Sequence, residues 1–142
     1  MSERGSLLPM AAGLVALCGV AVVGIIDSTD LALARTSLQS TADMAALVGA
    51  ESFDPLTAKF DGTSLVVRLT NPQVRRAVRA FVAESQDGIR LIAASTPDSV
   101  TARVTVRCTW TPPIGNQFFP VRIQIEASAS ARPNIGVRSD ER

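Results

Sequence analysis

The chain contains no histidine. With histidine go the usual general base near neutral pH and the commonest metal ligand. Two cysteines are too few to build a cysteine-rich zinc site or a disulfide scaffold within one chain. A net charge of +1 gives no electrostatic ground for a nucleic-acid partner. These absences point away from catalysis, and neither an enzymatic activity, a metal nor a cofactor is expected. What the chain has in quantity is apolar surface. Hydrophobic residues make up 46% of its 142 residues and the mean hydropathy is +0.24, which excludes a disordered chain. The length suits one folded unit.

The apolar residues are concentrated near the start. Residues 1–6 form a short polar segment, and Leu7 to Ile26 then contains no charge. A helix of about 20 residues spans about 30 Å, the thickness of the hydrocarbon core of a bilayer. A charge at mid-bilayer costs at least ~2.5 kcal/mol, so a charge-free run of this length is informative. Residues 7–26 therefore read as a transmembrane helix. Pro9 falls in its first turn, where a missing N–H loses no bond. Asp27 and Asp30 close the run.

Two processing alternatives compete with this reading. A secretory signal peptide has a basic start and a shorter apolar core, whereas here Glu3 and Arg4 cancel. The nearest A-x-A site, Ala32-Leu33-Ala34, lies beyond both aspartates. A lipoprotein needs a small residue before Cys18, where Leu17 stands, so Cys18 reads as a small apolar residue of the helix. Arginines are sparse in both flanks, but a six-residue tail stays inside without machinery. The expected topology is single-pass in the cell membrane, N-terminus cytoplasmic and the remainder extracytoplasmic.

The helix is expected to continue as a stalk over residues 27–50. There is no proline from Ser28 to Ala50, and glycine occurs only at Gly49. Leu31, Ala34, Leu38, Ala42, Ala45 and Gly49 fall on one helical stripe. Arg35, Gln39 and Asp43 form a polar line beside it. Leu33, Met44, Leu47 and Val48 lie elsewhere on the circumference, and a helix apolar on several faces wants several neighbours. One reading packs Leu33, Leu47 and Val48 on the chain's own C-terminal domain. The other gives part of this surface, the stripe above all, to helices of an assembly, a second copy of the chain included. Small side chains on the stripe would let such helices approach closely.

Glu3-Arg4-Gly5-Ser6, the apolar run, Asp27, Leu33-Ala34-Arg35 and Leu38-Gln39-Ser40-Thr41-Ala42-Asp43-Met44-Ala45-Ala46-Leu47 together resemble the N-terminal region of TadE/TadG-like proteins. These are minor-pilin-like components of the Tad (Flp) pilus assembly system. The resemblance covers about a third of the chain. It implies pilin-like architecture, other pilus-assembly subunits as partners beside the lipid bilayer, and processing near Gly5 and Ser6. TadE-type members carry a glutamate five residues after the cleavage point, and here that residue is Met10. A glutamate in the membrane helix is an expensive charge, satisfied only by a neighbouring subunit. Its absence fits the anchored, uncleaved TadG-like side of the family better.

Residues 51–132 read as a separate α+β domain. Glu51 to Ser64 reads as a loop and Leu65–Leu69 as a β-prone run. Asn71 and Pro72 suggest an N-cap and a first helical position, with a helix to residue 86 carrying Val74, Ala77, Val78, Phe81 and Val82 inward. Gly88 suits its C-terminal stop. Residues 89–94 suit a strand, and Thr96-Pro97-Asp98-Ser99 a turn. Val100, Ala102, Val104, Val106, Cys108 and Trp110 alternate with polar residues, as do Val121, Ile123, Ile125, Ala127, Ala129 and Ala131. Both runs predict strands with one buried face, paired antiparallel. The overall expectation is α+β: a long N-terminal helix, then a small antiparallel sheet covered by one helix. The tail, 133–142, is expected to be mobile.

Candidate chemistry is thin. Asp27 and Asp30 could do acid–base work or bind a cation, but the simpler reading is a solvated boundary of the membrane segment. Arg75, Arg76 and Arg79, and separately Arg103, Arg107 and Arg122, read as solvated surface. Cys108 is expected on the buried face beside Trp110, and Cys18 in the bilayer cannot reach it. Trp110 and Phe118-Phe119 flank the Pro112-Pro113 break. They are either core or an exposed aromatic loop that meets a partner. The function expected is a membrane-anchored, non-enzymatic component of pilus assembly or a related secretion apparatus. The alternative is a soluble binding module secreted after signal-peptide cleavage.

Overall fold

A computed structural model describes residues 7–61, 64–85 and 88–133. The expected processing site at Gly5 and Ser6 and all of the expected mobile tail except Pro133 lie outside the described residues. Helix α1 runs unbroken over Leu7–Glu51, 45 residues, or about 68 Å at 1.5 Å per residue. There follow strands β1 (Lys59–Asp61) and β2 (Ser64–Val66), helix α2 (Asn71–Glu84), and strands β3 (Arg90–Ser95), β4 (Ala102–Trp110) and β5 (Ile123–Ala131). Strands β1 and β2 pair antiparallel, with Lys59 opposite Val66. The other three form an antiparallel sheet in the order β3-β4-β5. The architecture is α+β, as the sequence predicts.

The chain divides into two compact units. One combines the described part of Met1–Ala34 with Trp110–Ile123. The other combines Arg35–Thr109 with the described part of Gln124–Arg142. This differs from the single unit that length suggests and from a boundary near residue 50. The latter part of α1 belongs to the β-containing unit, and the segment between β4 and β5 belongs with the beginning of the helix.

The β-containing unit has a well-defined core. Ala102, Val104 and Val106 of β4 and Ile125 and Ala127 of β5 are buried, together with Val74, Val78 and Val82 of α2. Each such valine or isoleucine contributes roughly 1.5–3 kcal/mol when fully buried, and each alanine less. α2 covers the sheet as expected, but it shares the task with α1. Leu38, Ala42, Ala45, Ala46, Gly49 and Ala50 are all buried. A Cβ on Gly49 would lie 3.1 Å from Val78 Cγ2 and 3.2 Å from Ala102 Cβ and Val74 Cγ1. α1, α2 and β4 therefore meet at a point where even a methyl group is tight.

Local expectations fare unevenly. The segment read as a loop before Ser64 holds a 3-10 turn, Pro55–Thr57, and strand β1. Thr70, not Asn71, is the N-cap of α2. The Asn71 carboxamide oxygen instead accepts from the Thr96 N–H at 2.8 Å, spending its acceptor on a distant turn. Gly88 adopts φ 94° just beyond α2, a left-handed conformation that glycine takes without strain. The β3–β4 register shifts between Leu91 and Ala93, and Ile92 at this irregularity is exposed. Val100 and Val121, placed inward by alternation, are exposed because each precedes its strand. Cys108 is only half-buried, and what burial it has raises its thiol pKa.

Candidate functional site: the loop against the apolar helix

The unit built on the first part of α1 brings together residues that the sequence separates by eighty positions or more. Pro112 and Pro113 end β4, because proline has no N–H for a sheet ladder. The chain then closes a 3-10 turn over Gly115–Gln117. The N–H groups of Phe118 and Phe119 both donate to the Gly115 carbonyl, at 3.0 and 2.8 Å, and that of Gln117 to the Ile114 carbonyl at 3.2 Å.

Asp27 holds this turn from the helix side. Its Oδ1 accepts from the Ile114 N–H at 3.3 Å and its Oδ2 from the Gly115 N–H at 3.0 Å. One helical turn on, Asp30 Oδ2 accepts from the Trp110 indole N–H at 2.7 Å. These are charge-assisted bonds, stronger than their neutral counterparts. Ser28 and Thr29 donate back to the carbonyls of Gly24 and Ile25, at 2.6 and 2.9 Å. The two aspartates are thus not a bare solvated face, as the sequence reading has it. Both are half-buried and engaged as acceptors. Gly115 is required here by space rather than by backbone angle: a Cβ would lie 2.5 Å from Asp27 Oδ2.

The result is an apolar cleft of about 630 Å³ lined by Ala16, Gly19, Val20, Val23, Gly115, Phe118 and Phe119. Phe118 and Phe119 are 69% and 73% exposed, whereas Trp110 is 9% exposed. The two readings of the aromatics therefore divide, with Trp110 packed in and the Phe pair presented outward. The sequence carried one usable signal for this contact. A buried indole N–H needs an acceptor, and Asp27 and Asp30 are acceptors with no basic residue within one helical turn in sequence.

The remaining candidates lie apart from this site. Leu38, Ala42, Ala45 and Gly49 of the small-residue stripe are buried in the β-containing unit, while Leu31 and Ala34 are half-buried. Leu33, Met44 and Leu47 are exposed. Of the stripe and the off-stripe residues, it is the stripe that the chain's own core uses. Arg35, Gln39 and Asp43 line a second cleft of about 530 Å³ with Ile125, Glu126 and Ala127. There Gln39 donates to Asp43 Oδ1 at 3.1 Å and to the Ser128 carbonyl at 3.3 Å. Arg75, Arg76 and Arg79 are exposed on α2. Arg107 pairs with Glu126 across β4 and β5, so it is not part of a free basic patch with Arg103 and Arg122.

The helix itself meets the length and composition of a membrane span. Its most apolar window has a mean hydropathy of 2.3, and none of that window is buried. A single apolar helix near the N-terminus is compatible with a membrane anchor or a signal sequence. Compared with protein-family models, curated proteins and solved structures, the chain matches none.

Proposed function

We propose that this chain is a membrane-anchored, non-enzymatic component of Tad/Flp pilus assembly or a related secretion apparatus. In this reading residues 7–26 cross the cell membrane with the N-terminus cytoplasmic, and the β-containing unit is exported as an interaction module. The observation that carries the anchor is the continuity of α1. One helix begins with largely exposed apolar residues and ends inside a packed core. A segment meant only to be cut away need not hold a later loop, as Asp27 and Asp30 hold the loop after β4. The TadE/TadG-like pattern around Leu38–Leu47 supports the choice of apparatus, with other pilus-assembly subunits as partners. Alkaline carbonate washing should leave the chain in the membrane pellet, and a C-terminal tag should be open to protease added outside the inner membrane. Deletion should abolish pilus or secretion output, and restoring the full chain should recover it. Export without any such loss would refute the assignment to the apparatus.

One observation favours a second reading, release as a soluble module. The β-containing unit begins at Arg35, directly after Ala32-Leu33-Ala34. Cleavage there would leave Leu38–Ala50 to cover its core. A mature N-terminus at Arg35 in the extracellular fraction would establish it. A full-length chain in the membrane would dismiss it.

A further inference from the structure

The apolar run of α1 is not the only charge-free stretch of its unit. Between Arg107 and Arg122 no residue is charged, and this stretch includes the turn that Asp27 holds against the helix. The cleft beneath the Phe pair reaches from Val23 to Ala16, about 6–16 Å along the helix from Asp27 at 1.5 Å per residue. Half of a hydrocarbon core is about 15 Å. If residues 7–26 span the bilayer, Phe118 and Phe119 lie at the level of one leaflet's acyl chains.

Backbone at that depth must have its polar groups bonded within the protein. Pro112, Pro113 and Pro120 have no N–H to satisfy. From Ile114 to Phe119, the N–H groups of Ile114 and Gly115 are taken by Asp27, those of Gln117, Phe118 and Phe119 are taken by carbonyls of the turn itself, and that of Asn116 is the one not so bonded. Water-exposed loops have no need of such accounting, because solvent serves them. Two adjacent phenylalanines more than two-thirds exposed would be costly in water and are well solvated by lipid.

We propose that the Phe118-Phe119 turn is a second membrane contact, a wedge inserted among the acyl chains of the leaflet at the Asp27 end of α1. The partner is lipid, because the wedge is continuous with the exposed apolar surface of the helix and carries no charge for a protein partner to pair with. Asp27 and Gly115 are positioning residues, which fix the turn against the helix at that depth. The inference rests on the membrane-anchor reading above.

Depth-dependent fluorescence quenching tests it on the full chain. Trp110 is the sole tryptophan, so the signal added by Phe118→Trp is read as the increment over the unsubstituted protein. Phe119→Trp serves as the second variant. Leu17→Trp, on the exposed helix, reports the anchor itself. Vesicles contain equal parts phosphatidylcholine and phosphatidylglycerol, with the phosphatidylcholine brominated, in separate preparations, toward the headgroup end and toward the methyl end of its chains. The added emission of Phe118→Trp should be blue-shifted, should be mostly lost in the brominated vesicles, and should resist aqueous acrylamide. Quenching by acrylamide but not by bromine, with Leu17→Trp still quenched by bromine, would overturn the wedge and leave the anchor standing. Shielding from both quenchers would also overturn it, since protein rather than lipid would then cover the turn. Failure of bromine to quench Leu17→Trp would sink the anchor reading, and the wedge with it.

Discussion

The two ends of α1 use the same vocabulary to opposite effect. Leu17 is 67% exposed and Leu38 is 2% exposed. A Cβ on Gly13, Gly19 or Gly24 would meet nothing within 4 Å, whereas one on Gly49 would press on three side chains. Both ends are rich in alanine and leucine. The polar residues make the difference. The first end has none, so no face is marked as outward and every face needs an apolar surrounding. The second has Arg35, Gln39 and Asp43 on one side, which leaves Leu38, Ala42, Ala45 and Gly49 to face a core.

The comparison can be broken most forcefully at its leucines. Leu38→Ala should cost about 2–5 kcal/mol through the cavity it leaves. Leu17→Ala should stay within about 0.5 kcal/mol, as expected for a side chain outside any protein core. Thermal unfolding of the full chain in detergent reads both, and equal effects would erase the distinction. The glycines sharpen it. Gly49→Val should cost about 1–3 kcal/mol by overpacking, and Gly13→Val should leave the melting temperature nearly unchanged.

The loop offers a third, more local test. Asp27→Ala removes the acceptor from two N–H groups, each left unpartnered at about 1 kcal/mol or more. The expected readout is faster proteolysis between Trp110 and Ile123, with the β-containing unit left intact. A loop as protected as before would mean that Asp27 does not hold it.

The smallest effect lies in the β-containing unit's turn before β4. The Thr101 hydroxyl, then the Thr101 and Val100 N–H groups, hold the Asp98 carboxyl below its usual 3.8, at about 2. A carboxylate depressed on folding adds stability that is fully present above the unfolded value and lost as pH falls through the folded one. The unit should therefore lose a small increment between about pH 4 and pH 2. Asp98→Asn should flatten that part of the stability profile. An unchanged profile in the variant would remove Asp98 as its source.

Much of the fold was open to reading from the sequence, because periodicity is local. The unbroken helix followed from the lack of any breaker after Pro9, and β4 and β5 from strict alternation. The candidate site was harder to see, because it depends on pairs far apart in the chain. Asp27 with Gly115, and Asp30 with Trp110, leave no periodic trace. The sharing of the small-residue stripe with the chain's own sheet was hidden for the same reason. A stripe of alanines states that something approaches closely but not which chain supplies it. Strand β1 leaves no sequence signal, and β2 shows only through the β-prone run Leu65–Leu69 that overlaps its end, because three-residue strands are too short to show alternation.

The spacing of these pairs also orders events in time. Asp27 and Gly115 are 88 residues apart, Asp30 and Trp110 are 80, and Gln39 and Ser128 are 89. Ribosomes add about 5–20 residues per second, so the helix waits roughly 4–18 s for its partners to be made. A charge-free span emerging first can engage the export machinery during that interval, before any of its tertiary contacts exists. On the proposed anchor reading, the direction of insertion is fixed by a chain that has not yet folded, and both the loop and the sheet assemble onto a helix already placed in the bilayer.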